Sequence, residues 1–255
     1  MIALDLIGIG TGNPRHLTLQ AIDAMNAADL ILIPTKGEEK DDLAGLRRDI
    51  CARVLTNPDT KVVEFALPVR DPAITNYRAR VEAWHDTIAA IWTETIRAHL
   101  GSGVRVAFLV WGDPSLYDST LRIAERVAKA LPLAVHVVPG ITSIQALTAA
   151  HAIPLNSING PVTITTGRQI RDNGFPPGTD TAVVMLDGEL SFRTLDPEGL
   201  HIWWTGYAGM ETEISLSGPA ASVSDAIAEA RAAARAAHGW IMDIYLLRRS
   251  SPVRA

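Results

Sequence analysis

Apolar and polar positions alternate in two rhythms along the chain. Residues 3–9 are apolar apart from one acid, which predicts a buried strand. Residues 17–28 set Leu17, Ala21, Met25 and Ala28 at helical spacing on one face. A strand at 30–33 ended by Pro34, a helix at 43–55, a short strand at 62–65 and a long helix at 75–100 follow. Gly101 and Gly103 stop that helix ahead of an apolar strand at 104–110. Strands alternating with helices predict a parallel sheet flanked by helices. Beyond residue 118 the rhythm tightens. Helices are expected at 121–130 and 141–151, and strands at 134–138, 162–166, 182–186 and 202–205. An Ala-rich helix at 222–238 stops at Gly239, and a strand at 240–247 closes the pattern. Closer strands imply a mixed sheet. The fold class is therefore α/β, in two α/β domains: 1–118, and 119–255 with the mixed sheet.

Composition narrows the class. The 255 residues are 47% hydrophobic, enough for a sizeable core in one or two domains. A formal charge of −5 gives no footprint for nucleic acid or an anionic membrane. The single cysteine, Cys51, excludes an internal disulfide and a zinc knuckle, and its spacing with Leu46, Ile50 and Val54 predicts a buried helix position. No apolar run approaches the roughly 18 residues that span a bilayer. The start lacks a basic stretch before an apolar one, so no signal peptide is expected and a cytoplasmic protein is the default. Arginine supplies most of the positive charge, which suits carboxylate partners as well as a compositional bias.

Candidate chemistry sits in the loops after two predicted strands. Trp111-Gly112-Asp113-Pro114-Ser115-Leu116-Tyr117-Asp118-Ser119 follows the strand at 104–110, where an α/β sheet presents its chemistry. The competing local reading makes Asp113 a cap with Pro114 at the first position. Gly8-Ile9-Gly10-Thr11-Gly12-Asn13-Pro14 follows the first strand. A dinucleotide fingerprint would place its third glycine where Asn13 stands, and no acid ends the second strand, where Pro34, Thr35 and Lys36 lie. Nicotinamide-dependent redox chemistry is therefore the weaker alternative.

These two loops, with Leu17-Thr18-Leu19, Val138-Pro139-Gly140-Ile141-Thr142-Ser143 and the segment 163–168, resemble the tetrapyrrole methyltransferases of cobalamin and sirohaem synthesis. The resemblance runs through the chain in family order. Thr11 stands where proline is usual, and Trp111 where the first glycine of G-G-D-P is usual. Segments 34–51, 111–119, 165–168 and 238–249 most resemble the branch that methylates precorrin-5 at C-1 with loss of acetate. Another precorrin methyltransferase of the family, acting at a different ring carbon, is the nearest alternative.

The resemblance implies S-adenosylmethionine bound in the cleft between the two domains. By motif, backbone at Trp111, Gly112 and Asp113 with Leu116 would hold its methionine part, and Thr142 and Ser143 would contact it from the next loop. Met185 and Ala208 would line the adenine, with Thr11 at the proline position and Met242 in the last strand. Methyl displacement from a sulfonium asks for alignment and exclusion of water. No metal is expected: neither H-E-x-x-H nor paired cysteines occur. Deacetylation asks for a base and an oxyanion donor, for which Tyr117 and Asp118 are the candidates, with His16 near the first loop. A macrocycle rich in carboxylates suggests Arg15, Arg70 and Arg168 at its rim. Relatives in the family are homodimers, so a homodimer without nucleic-acid or membrane partners is expected.

Overall fold

A computed structural model describes residues 1–35, 42–99 and 104–249, which divide into two compact units, Met1–Thr142 and Ser143–Ala255. The first unit alternates β1 (Ile2–Gly8), α1 (Leu19–Asn26), β2 (Leu30–Thr35), α2 (Asp42–Val54), β3 (Lys61–Ala66), α3 (Tyr77–His99), β4 (Arg105–Val110), α4 (Thr120–Val127) and β5 (Leu133–Val138). Its five strands are all parallel, in the order β3-β2-β4-β1-β5.

Both faces are covered at the inner strands, which is why β1, β2 and β4 are largely apolar runs. Leu4, Leu6, Leu32, Phe108 and Val110 pack with Ile88, Trp92 and Ile96 of α3 and Ile123 and Val127 of α4. Ile7, Ile31, Ile33 and Leu109 pack with Ala21 and Met25 of α1 and Ile50 and Cys51 of α2 on the other face. Cys51 is buried as its spacing predicts, and burial pushes its thiol up to about 11. The one acid of β1, Asp5, lies 3.2 Å from His136 Nδ1 and 3.5 Å from Arg105 Nε.

The second unit contains α5 (Ser143–Ala150), β6 (Val162–Thr166), α6 (Gly167–Asn173), β7 (Thr181–Met185), β8 (Leu200–Gly206), β9 (Ile214–Pro219), α7 (Ala220–His238) and β10 (Asp243–Arg249), with a 3-10 turn at Ser191–Thr194. Its sheet runs β6-β7-β10-β8-β9. It is mixed: β6 and β7 are parallel, and the other pairs are antiparallel. Ile170, Val184, Phe192, Ile202, Trp204, Ile227 and Tyr245 form its core. Gly239 ends α7 at φ 73°, its N–H donating to Arg235 O.

The two α/β domains are present, but the division differs from the expected 118/119 boundary. Helix α4 and strand β5 belong to the first unit, because β5 pairs with β1 along its length. The sequence reading missed two elements. β9 exposes alternate residues and ends in Gly218-Pro219; α6 is only seven residues long. Gly101, Gly103 and Lys36 lie outside the described residues. Among the described residues, no helix is long and apolar enough to cross a membrane.

Candidate functional site

Three loops meet at the carboxyl ends of three neighbouring strands of the first unit. They follow β4, β1 and β5, neighbours in the sheet, and carry the three glycine-containing motifs. Gly112 N–H donates to Gly10 O at 2.8 Å. A Cβ on Gly140 would stand 2.1 Å from Gly112 O and 2.8 Å from Gly8 Cα. A Cβ on Gly8 would stand 2.6 Å from Gly140 N. Backbone here touches backbone, and no side chain larger than hydrogen fits. Gly10 and Gly112 also hold φ of 75° and 65°. Thr142 belongs to the same cluster: its Cα is 3.9 Å from where a Gly112 Cβ would be.

Asp113 fastens this junction. Its Oδ1 accepts from Ser115 N–H at 2.8 Å and from the Ser115 hydroxyl, and its Oδ2 accepts from Gly140 N–H at 2.9 Å. Partial burial alone would raise its pKa. The hydrogen bonds from Ser115 and Gly140 outweigh burial and hold the carboxyl below its usual range. Asp113 is thus an anionic clip across two loops, poorly suited to taking up a proton. The turn that Asp113 fixes directly follows Trp111 and Gly112, as the capping reading expects.

Further along this loop, Leu116 is half-buried and Tyr117 is 47% exposed. Tyr117 takes φ 49°, unusual for a residue with a Cβ, and desolvation raises its pKa. Asp118 Oδ1 accepts from Thr120 N–H at 2.6 Å and from the Thr120 hydroxyl, so part of its carboxylate is held by the first residue of α4.

The first glycine loop does not run into a helix. Pro14–His16 form a 3-10 turn, and α1 begins later, with Thr18 Oγ1 accepting from Ala21 N–H at 3.0 Å. A pyrophosphate seated on a helix N-terminus needs the helix to start at the loop. Thr11 is buried, and its hydroxyl lies 3.1 Å from His16 Nδ1. Arg15 is exposed beside it. Arg70 follows the edge strand β3, two strand spacings from β4, roughly 10 Å. Its guanidinium lies 4.6 Å from the Trp84 ring centre.

In the second unit the expected residues gather at one end of the mixed sheet. Met185 ends β7 and pairs with Thr166 at the end of β6, where α6 begins and exposed Arg168 stands. Gly206 ends β8 opposite Asp243, the first residue of β10. Tyr207 N–H donates to Met242 O at 2.8 Å, which sets Ala208 beside Met242. Leu186 and Tyr207, directly after their strands, have φ of 53° and 51°. Ser143 is the first residue of α5.

Sequence reasoning missed two charged residues here. Arg47 of α2 donates through Nε to Leu109 O at 3.0 Å and lies 5.8 Å from the Trp111 ring centre. Desolvation lowers its pKa to about 10 against the opposing charge of Asp118. Its spacing was the available signal, since position 47 lies three residues after buried Ala44 and four before buried Cys51 on α2. The second is Asp187, whose Asp-Gly sequence reads as an ordinary turn. Among the described residues, no group of three His, Cys, Asp or Glu is placed to hold a metal.

A model of the family described as Tetrapyrrole (Corrin/Porphyrin) Methylases matches residues 3–224. The chain is 52% identical to a precorrin-6A synthase [deacetylating] of Sinorhizobium sp over 248 residues, 96% of this chain and 95% of the relative. A solved cobalamin synthesis related protein (CobF) from Corynebacterium diphtheriae superposes with a TM-score of 0.83 at 38% identity, over 98% of this chain and all of that one. Uroporphyrin-III C-methyltransferase of Thermus thermophilus, solved with S-adenosylhomocysteine, shares the fold at a TM-score of 0.60 and 18% identity, over 96% and 92% of the two chains.

Proposed function

We propose, on the premise that this chain belongs to the tetrapyrrole (corrin/porphyrin) methylases, that it is a methyltransferase of cobalamin biosynthesis. It transfers a methyl group from S-adenosylmethionine to C-1 of precorrin-5 and releases acetate, giving precorrin-6A. The observation that carries this reading is the backbone-tight meeting of the Gly8, Gly112 and Gly140 loops, in a chain so similar over nearly its whole length to a deacetylating precorrin-6A synthase.

The residues fit a sulfonium nucleoside. Gly10 and Gly112 are left-handed glycines whose backbone groups pair with each other, and a Cβ on Gly112 would meet nothing nearer than Thr142 Cα at 3.9 Å, so a ligand can approach the backbone there. In the first unit, backbone at Trp111, Gly112 and Asp113, with Leu116, Thr11 and Thr142, is assigned to the methionine part. In the second unit, Ser143, Met185, Ala208 and Met242 are assigned to the donor, Met185 and Ala208 at its adenine. When bound, S-adenosylmethionine supplies a methyl group on a sulfonium that leaves as a neutral thioether. The chain's own work is to hold the ring carbon in line and to exclude water.

For deacetylation, desolvation keeps the Tyr117 phenol protonated, so it can donate to the acetyl oxygen as negative charge develops. Asp118 is assigned, through Oδ2, to the proton of the attacking water. Arg15, Arg70 and Arg168 are assigned to substrate carboxylates, which guanidinium groups grip with paired hydrogen bonds. The same reading makes the enzyme a cytoplasmic homodimer.

The test is turnover of precorrin-5 with methyl-labelled donor, scored for label in the macrocycle and for free acetate. Tyr117→Phe and Asp118→Asn are expected to slow acetate release about 100-fold while the donor still binds. Unchanged turnover in both removes their assigned roles. Retention of NAD in place of the sulfonium compound overturns the function.

A further inference from the structure

Directly after Met185 and Leu186 the chain buries a carboxylate, and the reaction outlined above gives it no chemical step. Asp187 is 7% exposed, and four donors converge on it. Glu189 N–H at 3.0 Å and the Ser191 hydroxyl at 2.9 Å reach Oδ1. Ser191 N–H and the Tyr245 hydroxyl, each at 2.6 Å, reach Oδ2. Arg231 of α7 donates to Asp187 O at 3.1 Å and to Asp243 Oδ2 at 2.8 Å, where the Trp204 indole also donates at 3.0 Å. The guanidinium therefore ties the turn after β7 to the start of β10, next to Met242.

The turn is strained: Leu186 and Leu190 hold φ of 53° and 56°. Non-glycine residues stay in that region only where their surroundings over-determine them. On its other side the carboxylate presses on α6. A Cβ on Gly167 would stand 2.3 Å from Asp187 Cγ, so only glycine lets the start of α6 lie against it. Gly167 separates Thr166, the partner of Met185, from Arg168. An ordinary turn at a strand end needs no buried anion, because Gly, Asn or exposed Asp suffices. Burying a carboxylate is costly unless its lone pairs are met, and here four donors meet them.

We propose that Asp187 is a positioning residue of the methyl-donor site. Its carboxylate fixes Met185 and Leu186 on one side and the start of α6, Thr166 to Arg168, on the other. The inference rests on the assignment of Met185 to the donor. Asp187 touches neither donor nor macrocycle in this role; it acts through the two segments it holds.

The experiment measures calorimetric binding of S-adenosylhomocysteine, together with KM and kcat for the donor, in the whole enzyme. Asp187→Asn replaces one acceptor oxygen by a donor. Tyr245→Phe removes a single hydroxyl and serves where Asp187→Asn does not fold. Ile227→Ala, a truncation in the same core, is the control for lost stability. Asp187→Asn is expected to weaken binding and raise KM about tenfold to a hundredfold, with a smaller change in kcat. Tyr245→Phe is expected to move the same quantities in the same direction by less. Ile227→Ala is expected to lower the melting temperature and leave binding unchanged. Binding by the Asp187 and Tyr245 variants as tight as in the unaltered enzyme overturns the inference, as does equal weakening by Ile227→Ala. Failure of the unaltered enzyme to bind the thioether overturns the donor reading itself, and the inference with it.

Discussion

Asp113 shows how one side chain can fasten two loops at once. Its three hydrogen bonds close the Ser115 turn and pull in Gly140, so the carboxylate determines where Trp111 and Gly112 present their backbone. Asp113→Asn turns one acceptor oxygen into an N–H₂ that must face an N–H or a hydroxyl. The expected loss is about 1–3 kcal/mol of stability in urea denaturation, with a weaker hold on the donor. A variant as stable and as active as the parent would refute the clip. Its lowered pKa fixes the pH window as well. The contribution is full above the unfolded value of 3.8 and is lost as pH falls through the lower folded value. The place of Asp113, Tyr117 and Asp118 in the loop after β4 was legible because they follow an unmistakable buried strand. Arg47 and Asp187 were not. An acid before glycine and a charge within a helix each have an ordinary solvated reading; spacing hints at Arg47, and tertiary packing shows it desolvated and Asp187 buried.

At the scale of elements, the loops at the sheet ends depend on glycines that are not interchangeable. Gly140→Ala would drive a methyl into Gly112 O, and backbone cannot swing aside as a long side chain can. The loss is expected to be about 1–3 kcal/mol or more, with activity falling alongside. Gly45→Ala, within α2, meets nothing nearer than an Arg48 nitrogen at 3.7 Å. There the expected sign reverses, a gain of about 0.5–1 kcal/mol from restricting the unfolded chain. Thermal melts of the two variants check both directions, and a parallel shift would refute the contrast. Strands buried on both faces, such as β1 and β4, were legible because their runs are continuous. β5 was found as a strand but placed in the wrong domain. Its pairing with β1 is set by topology, which local periodicity does not encode, and it leaves Val135 and Val137 partly exposed at the sheet edge. β9 escaped because a half-buried edge strand ending in Gly-Pro looks like a loop.

The two units have separate cores but share one vulnerability to acid. In the first, His85 of α3 is 2% exposed with neither ring nitrogen hydrogen-bonded. Burial lowers its pKa, with Arg126, Arg122 and Arg70 reinforcing that and Glu82 opposing it. In the second, His151 lies with Nε2 3.2 Å from Trp204 O and 3.0 Å from Thr205 Oγ1, and His201 lies beside Trp203. Burial lowers both of these as well. A folded chain that resists protons its unfolded form accepts below 6.5 loses stability as pH falls from that value toward the folded pKa values. The lowered carboxyls, Asp113 and Asp180, act only below 3.8, so the imidazoles are the shifted groups in the range between. The urea midpoint is therefore expected to be lower at about pH 5.5 than at about pH 7.5. His85→Leu removes one titrating ring and an orphaned buried donor, so it should flatten part of that slope with little cost near neutrality. A midpoint that does not change between the two pH values would mean that the imidazoles are hydrated in the folded protein, and would undo the case for a sealed α3 face.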